Sequence, residues 1–198
     1  MAESVAPPLV VLALEIESQG VFEAAKVDVL YTGLGKVNAA IALASKLATL
    51  RHEGRAPHWV VNFGTAGSRT LPTGTVVGCR RFVQRDMDVT GLGFALGETP
   101  FETVPATLEF PAVFGHLPEG VCGTGDRFET GAIGLACDVI DMEAYALAKV
   151  CRTLEVPFAC AKYISDGADG TAADDWHASL PRAAAAFLDL YQRLQARA

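Results

Sequence analysis

Three acidic side chains stand where chemistry, as well as packing, has a use for them. Asp166 closes the apolar run 158–164 and is followed by Gly167. A carboxyl at the end of a buried strand is partly desolvated, which raises its pKa and lets it hand over a proton near neutrality. The local sequence also offers a plainer role, a turn-forming aspartate or an N-cap. Glu143 heads a predicted helix over 144–152, where a glutamate in the first turn also simply complements the helix dipole. Glu17 follows the apolar run 9–14, and its plainer role is a solvated loop charge. Glu143 and Asp166 share the stretch CDVIDMEAYALAKVCRTLEVPFACAKYISDGADG, residues 137–170, which reads as strand, helix, strand. Two acids carried to one crevice by consecutive parallel strands point to bond-breaking chemistry, because ligands of α/β sheets bind at the carboxyl ends of strands.

Other familiar chemistries lack their residues. His52, His58, His116 and His177 are isolated, with no HxH or HExxH spacing, and read as surface or core. No GxSxG elbow starts a serine triad. The five cysteines, Cys79, Cys122, Cys137, Cys151 and Cys160, lack CxxC spacing and read as reduced thiols of a cytoplasmic protein. Gly33-Leu34-Gly35-Lys36 satisfies neither the P-loop nor the dinucleotide fingerprint. It reads as a tight turn in which glycine tolerates positive φ, or as backbone N–H groups lining a pocket for a sugar or small anion. Gly64-Thr65-Ala66-Gly67-Ser68 reads as a small-residue turn after a strand. Its residues either face a ligand ring or let strand and helix pack closely. Arg80, Arg81 and Arg85 read as a solvated strand and loop edge.

The elements that must hold these residues alternate. Strands are predicted over 9–14, 27–31, 59–63, 76–83 and 121–125, helices over 37–50 and 173–196, and the strand–helix–strand stretch lies between. A long polar loop with glycine pivots is predicted over 84–94. Pro100, Pro105, Pro111 and Pro118 leave 95–120 irregular, with at most a short strand. The alternation predicts one α/β domain over residues 1–198. A net charge of −7 and a pI near 5.1 exclude a nucleic-acid partner, which needs clustered Lys and Arg. The N-terminal apolar run is too short to span a bilayer and lacks a basic leader.

Taken together, Ala13-Leu14-Glu15-Ile16-Glu17, TGLGKVNAA (32–40), VNFGTAGS (61–68), RDMDVTGLGF (85–94), GTGDRF (123–128), VIDMEAYALAKVC (139–151) and VPFACAKYISD (156–166) resemble the nucleoside phosphorylase and nucleosidase superfamily. The match is nearest to its hydrolase branch, the 5'-methylthioadenosine/S-adenosylhomocysteine nucleosidases. The resemblance implies a purine nucleoside phosphorylase-like α/β sandwich of three layers with a mixed, partly barrel-like central sheet. It also implies a homodimer in which loop 84–94 reaches toward the neighbouring subunit's pocket, and a small purine nucleoside as substrate, with no metal or cofactor. By position, Asp166 would protonate purine N7 with Ser165 beside it, and Glu143 and Met142 would hold the ribose. Glu17 would polarise the attacking water, Phe128 would stack on the base, the Glu129 backbone would meet the purine edge, and Ala66 and Gly67 would lie along the ligand.

Departures from the family pattern are Lys162, where the nucleosidases carry an arginine that steadies the water-site carboxylates, Asp141 in place of a glutamate, and a shorter segment 95–120. Lys keeps the charge but not the bidentate fork. A phosphate nucleophile needs cationic or N–H donors, whereas Glu17 adds negative charge and 18–25 supplies no Arg, so water is favoured. The expected activity is release of adenine from 5'-substituted adenosines. The alternatives are a phosphorylase, a nucleosidase for another 5'-modified adenosine, or a nucleoside-binding module without catalysis.

Overall fold

A computed structural model of the chain describes residues 7–127, 134–168 and 172–196, with the side chains of 172–174 left aside. Eight strands form one mixed sheet: β1 (Leu9–Leu12), β2 (Val29–Tyr31), β3 (Val60–Gly67), β4 (Val76–Gln84), β5 (Thr107–Glu109), β6 (Glu119–Thr124), β7 (Val139–Asp141) and β8 (Phe158–Asp166). Five of them close on themselves. β3 pairs with β8 in parallel, β8 with β4 antiparallel, β4 with β6 and β6 with β7 in parallel, and β7 returns to β3 antiparallel. β1 and β2 extend the sheet from β3, and β5 flanks β4. The fold is the mixed α/β, partly barrel-like sandwich that the resemblance implies.

The strand pattern explains why both faces are covered. Along β1 and the first residues of β3 and β8 apolar side chains follow one another without polar alternation, as expected of strands buried on two sides. Leu9, Val11, Val60, Phe158 and Cys160 face one core with α3 (Lys36–His52) and α4 (Ala144–Thr153). Val10, Leu12, Val61, Phe63 and Ala159 face the other, with α2 (Val21–Ala24) and α5 (Ala172–Gln195). Helix α3 turns Ala39, Leu43, Leu47 and Leu50 inward at helical spacing. On the opposite face, Phe63 lies 5.2 Å from Phe187 and 6.1 Å from Phe22, centroid to centroid. Each fully buried ring of this kind contributes about 1.5–3 kcal/mol. Leu180, Phe187 and Tyr191 of α5 are buried, with Leu188 and Leu194 packed beside them, matching the predicted inner face.

Two expectations need correction. The strands carrying Glu143 and Asp166 are not parallel, since β7 runs against β3 and β8 runs with it. Both meet at one residue: Gly67 pairs with Ile140 on one side and Asp166 on the other. The segment 64–67 is the second half of β3, not a turn after it. Small side chains still fit strand geometry where neighbours crowd in, and here β3 is flanked by a buried lysine and a carboxylate. Segment 95–120 contains only the short β5 and the start of β6, as its prolines foretell.

Candidate active site

Glu17, Glu143 and Asp166 line a single cavity of about 250 Å³ at the end of the barrel. Each reaches it on a different element. Glu17 belongs to α1 (Glu15–Ser18), Glu143 is the N-cap of α4, and Asp166 ends β8. Met142, Ser165, Ala66 and Gly67 line the same cavity; Lys162 does not. Phe128 and Glu129 lie outside the described residues.

Glu17 is buried because its carboxylate is an acceptor for four donors. Oε2 accepts the N–H groups of Ala13 and Leu14, both at 3.2 Å. Oε1 accepts the N–H of Thr65 at 3.0 Å and its hydroxyl at 2.9 Å. The bond to Leu14 is the reach of an N3 glutamate back to the N-cap, so the local sequence itself folds this side chain inward. It is not the solvated charge of the plainer reading: only 4% of the residue is exposed.

Glu143 Oε1 accepts the Gly35 N–H at 2.9 Å. Gly35 has φ +89°, a conformation that favours glycine, and a Cβ there would stand 3.1 Å from Asp126 Oδ1. The turn 33–35 therefore does use its backbone donors, but the Gly35 donor serves a carboxylate of the protein. Burial, reinforced by the Asp141 charge, pushes the Glu143 carboxyl up to about 8, against the opposing pull of Lys162 and the Gly35 N–H.

Asp166 is fixed by its neighbours. The Ser165 hydroxyl donates to Oδ2 at 2.7 Å and the Ala168 N–H to Oδ1 at 2.9 Å. Ser165 Oγ also stands 3.3 Å from the Ala66 carbonyl. One hydroxyl proton thus has two acceptors, the carboxylate when Asp166 is ionised and the carbonyl when it is protonated. A Cβ on Gly67 would fall 2.8 Å from Asp166 Oδ1, so only glycine leaves the carboxylate its place.

Lys162 sits behind the cavity, inside the barrel, in a buried ion pair of 2.9 Å with Asp141. Asp141 Oδ1 accepts the Thr124 hydroxyl at 2.5 Å, and Oδ2 accepts the Ala144 N–H at 2.8 Å. Burial opposes ionisation of both partners, but each charge prevails: Asp141 is held below the usual carboxylate range and Lys162 well above the usual amine range. Lys162 Nζ would be 3.1 Å and Glu17 Oε1 3.6 Å from a Cβ on Gly64, so this glycine leaves room for both charges.

Sequence reasoning passed over several wall residues. Arg85 is not on a solvated edge. It is buried, donates to the Gly125 and Arg127 carbonyls, and lines the cavity beside Arg127. Arg81 is exposed and Arg80 pairs with Glu109 and Glu119, as expected of an edge. Thr65, Leu34, Ile140 and Trp176 also line the cavity. Trp176 carried one legible signal, a large aromatic among small and acidic residues just after the Asp166 turn.

The profile of the phosphorylase superfamily matches residues 18–196. The chain is 32% identical over 188 residues to a 5'-methylthioadenosine/S-adenosylhomocysteine nucleosidase of Actinobacillus succinogenes, covering 84% of this chain and 79% of that one. The fold superposes on a 5'-methylthioadenosine/S-adenosylhomocysteine nucleosidase of Helicobacter pylori with a TM-score of 0.83, at 21% identity, over 99% of this chain and 100% of the other. It also superposes on a futalosine hydrolase of Helicobacter pylori with a TM-score of 0.79, at 22% identity, over 96% and 98%. In sequence and in fold, the chain belongs to the phosphorylase superfamily.

Proposed function

We propose that this protein is an N-glycosyl hydrolase that releases adenine from 5'-substituted adenosines such as 5'-methylthioadenosine or S-adenosylhomocysteine. The observation that carries the reading is the convergence of Glu17, Glu143 and Asp166 on one cavity. The name of the 32%-identical relative agrees with it.

The chemistry follows from the leaving group. Adenine leaves poorly as an anion, so Asp166 protonates N7 and the base departs neutral, with the Ser165 hydroxyl following the change in charge. Positive charge then builds on the ribose. Glu143, which accepts from the sugar hydroxyls, and the polarisable Met142 stabilise the charged ribose, while Glu17 orients water on the face opposite the departing base. Ala66 and Gly67 let the ligand lie against β3, and by the resemblance alone Phe128 and Glu129 would receive the base. Lys162 acts at a distance, balancing Asp141 beneath the carboxylates.

Water is preferred to phosphate for a structural reason. The N–H groups of Ala13, Leu14 and Thr65 form the kind of cluster that receives an anion, and Glu17 already fills it. The exposed stripe Leu34, Val37 and Ile41, with Leu92 on loop 84–94, suits a second copy of the chain and so a homodimer. Among the described residues no helix is long and apolar enough to cross a membrane. Free thiols fit a reducing cytoplasm, and adenine release from 5'-methylthioadenosine fits methionine salvage.

The test is incubation with a panel of 5'-substituted purine nucleosides, with and without phosphate, following free base by chromatography. Adenine release at equal rates in both supports the hydrolase. Strict phosphate dependence with a sugar 1-phosphate product selects a phosphorylase, and binding without release selects a binding module.

A further inference from the structure

Trp176 stands in the first turns of α5, more than a hundred residues from α1, yet the two are joined by a pair of hydrogen bonds. Its indole lines the cavity, and Nε1–H donates to Thr65 Oγ1 at 2.7 Å. The same hydroxyl lies 2.9 Å from Glu17 Oε1. An indole N–H can only donate, and a hydroxyl has one proton. Thr65 Oγ1 must therefore accept from Trp176, and its own proton is directed to Glu17. A carboxylate that receives that proton, two N–H groups from Ala13 and Leu14 and a third from Thr65 is the acceptor in each of these bonds, the pattern of the ionised form.

We propose that Trp176 is a positioning residue that acts through Thr65 to hold Glu17 in its ionised form, oriented for the water on which the hydrolase reading rests. Without the indole N–H, the Thr65 hydroxyl is free to rotate and accept a proton from a protonated Glu17, so the neutral acid becomes the better tolerated form. Losing that fixed direction weakens the set of bonds that favours the charged form. Among the described residues, the charged groups around Glu17 are Lys162 and Asp166 of β8, Asp141 of β7, Glu143 at the head of α4, and Arg85 and Arg127 on the same cavity wall. Glu15 lies on the same short helix. On α5, the His177 ring is edge-on to Trp176 at 4.6 Å between centroids, and Asp175 precedes it.

Two readouts test the relay, and one needs no turnover. In a ¹H–¹⁵N spectrum of the ¹⁵N-labelled protein, which has two tryptophans, Trp176→Phe identifies the Trp176 indole signal. That signal is expected to follow the titration of a carboxylate, to lose this step in Glu17→Gln and in Thr65→Val, and to keep it in Thr65→Ser. His177→Gln removes any separate imidazole step. In kinetics, Trp176→Phe is expected to lower kcat about tenfold at the acidic end, a fraction of what acid–base groups typically supply, with KM changed far less. The acidic limb moves to higher pH, and Trp176→Phe/Thr65→Val is no slower than Thr65→Val alone. An indole signal blind to Glu17→Gln, superimposable pH profiles, or losses that multiply in the double variant overturn the proposal. If the wild type releases no base while the indole still reports Glu17, the relay stands and the hydrolase reading falls; base release with a blind indole gives the reverse.

Discussion

Asp166 and Glu143 are both carboxylic acids at strand ends, but their surroundings prepare them differently. Asp166 has a hydroxyl and an N–H on its two oxygens, whereas Glu143 has one N–H and a neighbouring like charge. Asp166→Asn is near isosteric, so it should preserve the melting temperature and lower adenine release by about 10²–10⁴-fold, the range of general acid help. A wild-type rate, measured as free base formed per minute, removes Asp166 from the mechanism. Gly67→Ala should have a kindred effect by steric means, because the new methyl cannot coexist with Asp166 Oδ1 at 2.8 Å. The raised pKa of Glu143 also carries a sign for stability. Between its unfolded value near 4.5 and its folded value of about 8, the folded protein holds a proton that the unfolded chain has lost. Stability from this group is complete below the lower value and drains away as pH rises to the higher one. Melting temperature should fall across that window in the wild type, and this component should be absent in Glu143→Gln.

The elements decide which of these residues meet. Gly35 opens α3 with a positive φ and gives its N–H to Glu143, so the turn and the α4 N-cap are one unit. Gly35→Ala should cost about 1 kcal/mol or more in denaturant unfolding, from the strain of positive φ on a residue with a Cβ. It should also weaken nucleoside binding, as Glu143 loses its anchor. How far the sequence discloses such links varies with their range. Strand β1, helix α3 and the inner face of α5 were legible because periodicity and apolar runs are local signals. The run through 64–67 was misread because glycine and alanine look like a turn when the lysine and carboxylate that demand them lie a hundred residues on. Arg85 was misread for a related reason: an arginine beside a polar loop looks solvated until Gly125 and Arg127 present their carbonyls to it.

At the scale of the whole molecule, the closed barrel keeps a buried charge pair directly beneath the acids. Lys162–Asp141 joins β8 to β7, two strands that no hydrogen-bond ladder connects directly. Removing one partner leaves the other charge buried and uncompensated, so Lys162→Met should destabilise the protein by about 3–5 kcal/mol in denaturant titration. A loss below about 1 kcal/mol, the scale of an exposed pair, contradicts the burial argument. The barrel's closure itself was not written in any local pattern, since it depends on the single β3–β7 pairing at Gly67. The convergence of the three acids on one cavity was partly legible: the strand–helix–strand stretch paired Glu143 with Asp166, and only the family's order of motifs added Glu17.

One bound nucleoside is expected to lie with its base at Asp166, its ribose hydroxyls on Glu143 and its anomeric carbon facing Glu17. The direct measurement is a crystal structure of the Asp166→Asn protein with 5'-methylthioadenosine. Purine N7 is expected at hydrogen-bond distance, about 2.7–3.2 Å, from the residue-166 side chain, with the ribose hydroxyls on Glu143 and a water between Glu17 and the anomeric carbon. A nucleoside bound with its base away from residue 166, or with Glu17 on the same face of the sugar as the base, contradicts this geometry.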